Sequence, residues 1–131
     1  MKIKTNKLVG AALDWTVAKC EGLKLYRNAL LGGQIKEGWW VSGYYMDPNN
    51  WIPLNLLNFS TDWAQGGPII EREKIQLLPS ITKCEQPWHS SNPANDYVSH
   101  QYGPTPLIAA MRCYVASKLG DEVDVPDELL P

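Results

Sequence analysis

The chain has 131 residues, a formal net charge of −2, 44% hydrophobic and 20% charged residues. This length and composition predict one globular domain, residues 1–131, with its own hydrophobic core. The chain has no basic run, which argues against duplex nucleic acid as a partner, because phosphate binding needs several cations on one face. Its apolar runs fall far short of the roughly 20 residues of a membrane-spanning helix, so we expect no membrane association.

The cysteines and aromatic residues narrow the class of protein. Three cysteines, Cys20, Cys84 and Cys113, form an odd set without the spacing of a disulfide scaffold, which favours reduced thiols in a cytosol. Met1–Lys4 precedes no apolar segment of the kind that a secretory signal carries. Six Trp and six Tyr accompany a single Phe, and these residues suit half-open pockets and interfaces as well as cores.

The first element predicted is a helix over residues 6–21. Thr5 and Asn6 are N-cap candidates, apolar residues then recur at helical spacing, and Gly22 is placed to end the helix.

A strand is expected next, from about Leu23 to Leu30, and Gly32–Gly33 reads as a turn. The segment 39–45 is the best strand signal in the chain, because it is aromatic and β-branched. Asp47–Asn50 ends it, and the following stretch to Phe59 is ambiguous because Pro53 forbids a central strand.

Residues 60–68 are predicted to form a loop with two possible roles. As a binding loop it would stack an indole on a flat ligand, read hydroxyls or base edges with polar side chains, and expose glycine amides to an anion. As a plain turn it would cap a short helix and join two elements. The residues assigned to ligand binding here are Thr61, Asp62, Trp63, Gln65, Gly66 and Gly67.

The chain beyond this loop divides into three predicted parts. Ile69–Leu78 contributes one or two strands. Residues 79–103 form a long polar loop or lid, and long loops of this kind are often functional. Thr105 then caps the last helix, with Pro106 at its first position and Gly120 as its stop.

The last helix supplies two further candidate ligand-binding residues. Its N-terminus at Thr105 favours a phosphate or carboxylate, and Arg112 is a potential partner for an anion. Beyond the helix, Val123 and Val125 alternate as a short edge strand could. Together these elements predict an α+β fold, in which an antiparallel sheet carries the N-terminal and C-terminal helices on one face.

No catalytic or metal-binding motif is present. The chain has no nucleophile elbow, no phosphate-binding loop and no dinucleotide fingerprint. Cys84, His89 and His100 do not have the spacing of a closed zinc site, so we predict no metal and no cofactor. The protein is therefore expected not to be an enzyme.

Three blocks of the sequence resemble the NinX-like proteins of tailed phages. They are Leu13–Gly22, beginning Leu-Asp-Trp; Ser60–Ile70, containing Ser-Thr-Asp-Trp-Ala-Gln-Gly-Gly-Pro; and Gly103–Arg112, beginning Gly-Pro-Thr-Pro. The resemblance spans nearly the whole chain. It implies a small phage accessory protein that acts in the cytoplasm of the infected bacterium, and it implies no reaction.

The leading functional hypothesis is non-enzymatic binding of a small polar, nucleotide-like ligand, by analogy with phage proteins that sequester host immune signals. Trp63 or Tyr44 would stack on the base, and Gly66, Gly67 and the Thr105 helix end would hold phosphate. Arg72 or Arg112 would neutralise its charge. The hypothesis requires the segments 60–68 and 103–111 to meet around one pocket, and a homodimer could share that pocket.

The alternative hypothesis is a protein–protein interaction module that inhibits a host enzyme through an aromatic surface patch. Its candidate hot-spot residues are Trp39, Trp40, Tyr44 and Tyr45.

Overall fold

A computed structural model describes residues 1–42, 51–82, 85–93 and 99–131. Helices and strands follow in this order: β1 (Lys2–Lys4), α1 (Gly10–Cys20), β2 (Lys24–Leu31), β3 (Gln34–Ser42), β4 (Trp51–Pro53), α2 (Trp63–Glu73), β5 (Gln76–Pro79), β6 (Trp88–Ser91), β7 (His100–Gly103), α3 (Pro106–Leu119) and β8 (Glu122–Asp124). Short 3-10 turns lie at Thr5–Lys7, Leu54–Leu56 and Asp127–Leu129.

The α+β fold is confirmed, and its described strands form three small antiparallel sheets rather than one. The strand orders are β1–β8, β2–β3–β4 and β5–β6–β7. Helix α2 interrupts the chain between the second and third of these sheets. Periodicity locates strands without revealing which strands pair, so the division into sheets lay beyond the sequence pattern.

The two terminal helices pack together at the centre of the core. Leu13 and Val17 of α1 and Met111 and Val115 of α3 are fully shielded from solvent in one hydrophobic cluster. Helix α1 begins at Gly10, later than predicted, because Thr5 enters a 3-10 turn and its hydroxyl donates to the Gly120 carbonyl at 2.7 Å. None of the described helices is long and apolar enough to cross a bilayer.

The start and stop of α3 match the sequence prediction. The Thr105 hydroxyl accepts a hydrogen bond from the Ile108 N–H at 3.1 Å, with Pro106 in the first turn. Gly120 ends the helix with φ of 91°, a conformation that favours glycine. The predicted edge strand in the tail is also present, as β8 pairs with β1 through Val123 and Ile3.

The predicted loop over residues 60–68 is wrong from Trp63 onward. Helix α2 starts at Trp63 and continues through Ile69 and Ile70, which were expected in a strand. Asp62 caps the helix, its carboxylate accepting from the Ala64 N–H at 2.9 Å. A Gly-Gly-Pro sequence has low helix propensity, costing about 1 kcal/mol for each glycine, so tertiary packing must override it.

Gly66 supplies the reason for that override. A Cβ at this position would lie 2.6 Å from Leu107 Cδ1 and closer still to the Phe59 carbonyl oxygen. Only glycine lets α2 approach α3 and the preceding turn this closely. Gly67 meets no atom within 4 Å of an added Cβ, so packing does not demand glycine there.

The long loop predicted over residues 79–103 is also wrong, since β6 and β7 lie within it. Their sequences, Trp-His-Ser-Ser and His-Gln-Tyr-Gly, lack the apolar alternation of a half-buried strand. Small and polar groups instead fit them against α3: the buried Ser90 hydroxyl donates to the Ala109 carbonyl at 2.6 Å, and a Cβ on Gly103 would lie 2.6 Å from the Ala109 nitrogen.

Candidate functional site

A half-open cavity of 560 Å³ lies beside the N-terminal end of α1. Strand β3 and the turn that follows β4 form its other walls. Pockets for small molecules commonly have volumes of roughly 300–1,000 Å³, with mostly apolar walls and a few polar groups. The cavity, named here the tryptophan pocket, follows that pattern and is lined chiefly by Asp14, Glu37, Trp39, Trp40, Leu54, Asn55, Leu57, Asn58 and Thr61.

Trp39 and Trp40 supply the flat apolar surface of the tryptophan pocket. The Trp39 indole N–H donates to Glu128 at 3.2 Å, and its ring meets Trp15 edge-on with centroids 5.8 Å apart. The Trp40 indole N–H donates to the Glu37 carbonyl at 3.2 Å. Both side chains are half-buried, so each is held by the protein while its ring remains accessible for stacking.

A β-bulge beside the tryptophan pocket shapes the wall that β3 contributes. The β2–β3 register shifts between Arg27 and Ala29, where Asn28 has φ of 59° and Gly38 has φ of 99°. The Asn28 side chain accepts from the Gly38 N–H at 3.1 Å, which fixes the irregular backbone. Bulges commonly bend a strand and redirect its side chains next to binding sites.

Asp14 is the buried polar group of the tryptophan pocket. Its side chain belongs to α1, is only 6% exposed, and accepts from the Ser60 N–H at 2.9 Å. Burial raises the pKa of this carboxyl, and hydrogen bonding from the backbone and side chain of Ser60 only partly offsets that rise. Among the described residues that line the pocket none is Lys or Arg, so none of them offers this carboxylate a cationic partner.

One residue of the predicted binding loop, Thr61, lines the tryptophan pocket. Asp62 caps α2, and Gln65 bridges the preceding turn, accepting from the Asn58 N–H at 2.7 Å and donating to the Leu56 carbonyl at 3.1 Å. Trp63 is 53% exposed at the start of α2. Tyr44 lies outside the described residues, as does Tyr45.

The diglycine does not form an anion-binding loop. The Gly66 N–H donates to the Asp62 carbonyl at 2.9 Å within α2, and Gly67 follows in the same helix. Segments 60–68 and 103–111 do meet, at the contact of Gly66 with Leu107. Their meeting is helix packing, and the Thr105 hydroxyl is engaged in capping α3.

The two predicted arginines lie in different places and are bonded to other protein groups. Arg72 donates to both oxygens of Glu21 at 3.1 and 2.6 Å and to Glu73 at 3.1 Å. It lines a smaller cavity of 330 Å³ together with Gln65.

Arg112 is 3% exposed and donates to the carbonyls of Leu8 and Tyr102 and to the Gln86 side chain. Burial lowers its pKa.

Sequence reasoning missed Asp14, Asn55 and Asn58 as pocket residues. Asp14 carried a signal, because a carboxylate stands within an otherwise apolar helical pattern and buried carboxylates need a partner or a function. The sequence places Trp39 and Trp40 in a strand and in an aromatic surface patch, and it does not place them in a pocket.

A family model described as Bacteriophage P22, NinX matches residues 4–118 of the chain. The match spans α1, α2, all but the last residue of α3, and nearly all of the tryptophan pocket. A comparison with curated proteins finds no match.

Proposed function

The chain belongs to the bacteriophage P22 NinX family, and we propose that this phage accessory protein binds a small polar ligand in the tryptophan pocket without transforming it. The observation that carries the proposal is the pairing of a buried carboxylate with two indoles in one cavity of ligand size. Binding would take place in the cytoplasm of the infected bacterium. Sequestration of a nucleotide-derived host signal there is the role that such a pocket would serve.

The indoles favour a planar ligand. Trp39 and Trp40 offer ring faces at the pocket wall, and stacking of a base on an aromatic side chain contributes about 1–3 kcal/mol. Asn55 and Asn58 add amide groups that can both donate and accept at the edge of such a ring.

The charges determine which part of a nucleotide would enter the tryptophan pocket. Asp14 and Glu37 accept hydrogen bonds and repel phosphate, so the base would enter with its N–H edge toward Asp14. An adjoining cavity of 470 Å³ shares Glu37 and Trp39 and is lined also by Arg27, whose guanidinium bonds Glu128 at 3.2 Å. Arg27 is exposed there and could exchange Glu128 for a phosphate.

Calorimetry and native mass spectrometry test the proposal. The panel contains nucleosides, mononucleotides, cyclic dinucleotides and ADP-ribose derivatives. We expect Trp40→Ala to weaken the binding of any active compound by about 10- to 100-fold, as the loss of one stacking partner predicts. Trp63→Ala is the matched control, because Trp63 is exposed outside the pocket. Absence of binding across the panel would refute the proposal.

A second candidate function is inhibition of a host enzyme through the same indoles. It is supported by the tip of the β2–β3 hairpin, where Leu30 and Ile35 pair across the strands and are 72% and 73% exposed. Exposed apolar groups and tryptophans are both typical of interaction surfaces. A pull-down from host lysate that loses its partner on Trp40→Ala, in a protein without a small ligand, would favour this function.

The homodimer belongs to the ligand-binding proposal, in which two copies of the chain would share the pocket. Light scattering at several protein concentrations, with and without the ligand, measures the mass directly.

A further inference from the structure

His89 and His100 form a pair on the surface of the β5–β6–β7 sheet. They are the only two histidines of the chain. His89 pairs with Tyr102 in the β6–β7 register and His100 with Ser91, so the two histidines are diagonal neighbours on one face. His89 Nε2 and His100 Nδ1 lie 3.1 Å apart.

The pair is accessible to solvent and to small ions. His100 is exposed and His89 is half-buried, with its ring centroid 5.0 Å from that of Tyr102. A cavity of 410 Å³ borders His100 and is lined also by Asn6, Lys7 and Gln86. Water molecules can therefore approach the nitrogen atoms from the open side.

We propose that His89 and His100 together chelate a borderline transition-metal ion such as Ni²⁺ or Zn²⁺. Imidazole nitrogen is a preferred ligand of these ions, at about 2.0–2.1 Å. The two facing nitrogens are 3.1 Å apart. If each lies about 2.0–2.1 Å from one ion, the N–metal–N angle falls between the octahedral and tetrahedral values. The spacing observed in the hydrogen-bonded pair is thus also the spacing of a two-nitrogen chelate.

Chelation replaces the hydrogen bond between the rings. That bond requires a proton on one of the facing nitrogens, whereas a metal ion needs a lone pair on both. The proton moves to the other nitrogen of the same ring, which is a change of tautomer, so the net charge of the two imidazoles does not change. Ring centroids 5.2 Å apart and planes at 20° show the rings meeting edge to edge, so each must pivot for its lone pair to converge on the ion.

Water completes the coordination shell in this proposal. No cluster of three or more His, Cys, Asp or Glu side chains suited to a metal exists among the described residues. An ion held by two protein ligands keeps open positions, which is the arrangement of an exchangeable rather than a structural site. The sequence prediction of no metal considered a closed site, and strand pairing brings together two ligands eleven positions apart.

A calorimetric titration with Ni²⁺ tests the chelate in both the wild-type chain and a Cys84→Ser variant. The variant removes a thiol that lies outside the described residues. Cys20 and Cys113 are poor competitors, because burial raises the pKa of Cys20 to about 12 and also raises that of Cys113, so both thiols stay protonated. We expect one saturable site in both chains.

Two single replacements identify the ligands. His89→Gln and His100→Gln should each weaken Ni²⁺ binding by at least about tenfold, since a chelate becomes a single contact. In the unmodified chain, paramagnetic Ni²⁺ should broaden the NMR signals of both imidazoles together, a result that needs no variant. Four results would each overturn the proposal. Two concern the titration: no saturable binding, or binding that requires Cys84. The other two are equal affinity in the two variants and the parent chain, and broadening of one imidazole alone.

Discussion

Helix α1 and its C-cap carry two carboxylates in opposite situations. At its C-terminal end Glu21 receives two hydrogen bonds from Arg72 and one from the Tyr114 hydroxyl, and its pKa is lowered. Asp14, in the second turn of α1, is hydrogen-bonded to Ser60, and burial raises its pKa. The protein's own donors surround the Glu21 carboxylate, whereas the Asp14 carboxylate has fewer donors and lines the tryptophan pocket. The hydrogen bonds that the fold provides therefore differ between the two carboxylates, and so does the direction of their pKa shifts.

The charged cluster at the C-terminal end joins three helices. Arg72 belongs to α2, Tyr114 to α3, and Glu21 follows α1 as its C-cap. Glu73 also accepts from Arg72 and contacts Lys118 of α3 at 3.4 Å. The cluster thus depends on the close packing of α2 against α3, while the tryptophan pocket depends on α1, β3 and the turn after β4.

Gly66→Ala should have the largest effect, because it separates α2 from α3 and so disrupts the Glu21 cluster. The added methyl group would overlap Leu107 and the Phe59 backbone, and we expect a loss of about 3 kcal/mol in the free energy of unfolding. Urea denaturation measures it. Gly67→Ala is the control: its Cβ meets nothing, and higher helix propensity should raise stability by up to about 1 kcal/mol. Equal effects at both positions would contradict the close-packing explanation.

Tyr114→Phe should have the next largest effect. It removes a buried hydroxyl that donates to Glu21 and lies 3.3 Å from Arg72, without changing the ring that packs in the core. We expect a loss of about 1–2 kcal/mol, as for a hydrogen bond to a charged group. Chemical denaturation at neutral pH measures it. Ligand binding to the tryptophan pocket should stay unchanged, and altered binding would show that the two ends of α1 are coupled.

The pH dependence of stability should have opposite signs at the two carboxylates. The raised pKa of Asp14 means that its contribution is fully present below its ordinary value of 3.8 and is lost as pH rises through the folded pKa. The lowered pKa of Glu21 means that its contribution is present above its ordinary value of 4.5 and is lost as pH falls through the folded pKa.

Asp14→Asn and Glu21→Gln measure these two contributions by urea denaturation between pH 3 and 7. The stability of the wild-type chain relative to Asp14→Asn should fall as pH rises. Its stability relative to Glu21→Gln should rise, each by on the order of 1 kcal/mol. Parallel profiles for the two variants would contradict the contrast between the carboxylates.

Arg72→Gln should have the smallest effect on stability. The guanidinium is 51% exposed, so solvent screens its attraction to Glu21, and we expect a loss of at most about 1 kcal/mol. High salt should reduce the difference between this variant and the wild-type chain. A loss as large as that of Tyr114→Phe, insensitive to salt, would mean that Arg72 acts as a buried charge.

Much of the fold followed from local signals, and most of the candidate site did not. Capping residues and glycine stops predicted α3 correctly, and the turn at Gly32–Gly33 joins β2 and β3 as expected. The binding-loop interpretation of residues 60–68 missed helix α2, because its glycines and Pro68 disfavour a helix on propensity alone. The turn interpretation included a short capped helix, and Asp62 caps α2. Strands β6 and β7 escaped prediction, since polar residues hide their period.

The sequence by itself determined the α+β class, the two terminal helices and the resemblance to the NinX family, because these depend on neighbouring residues and on motifs readable in order. Tertiary structure alone decided which polar groups find partners within the protein. The partner of Asp14 lies 46 positions away at Ser60, and Arg72 reaches Glu21 across 51 positions. A side chain has the same chemistry in either situation, and only its distant neighbours decide whether that chemistry is already used.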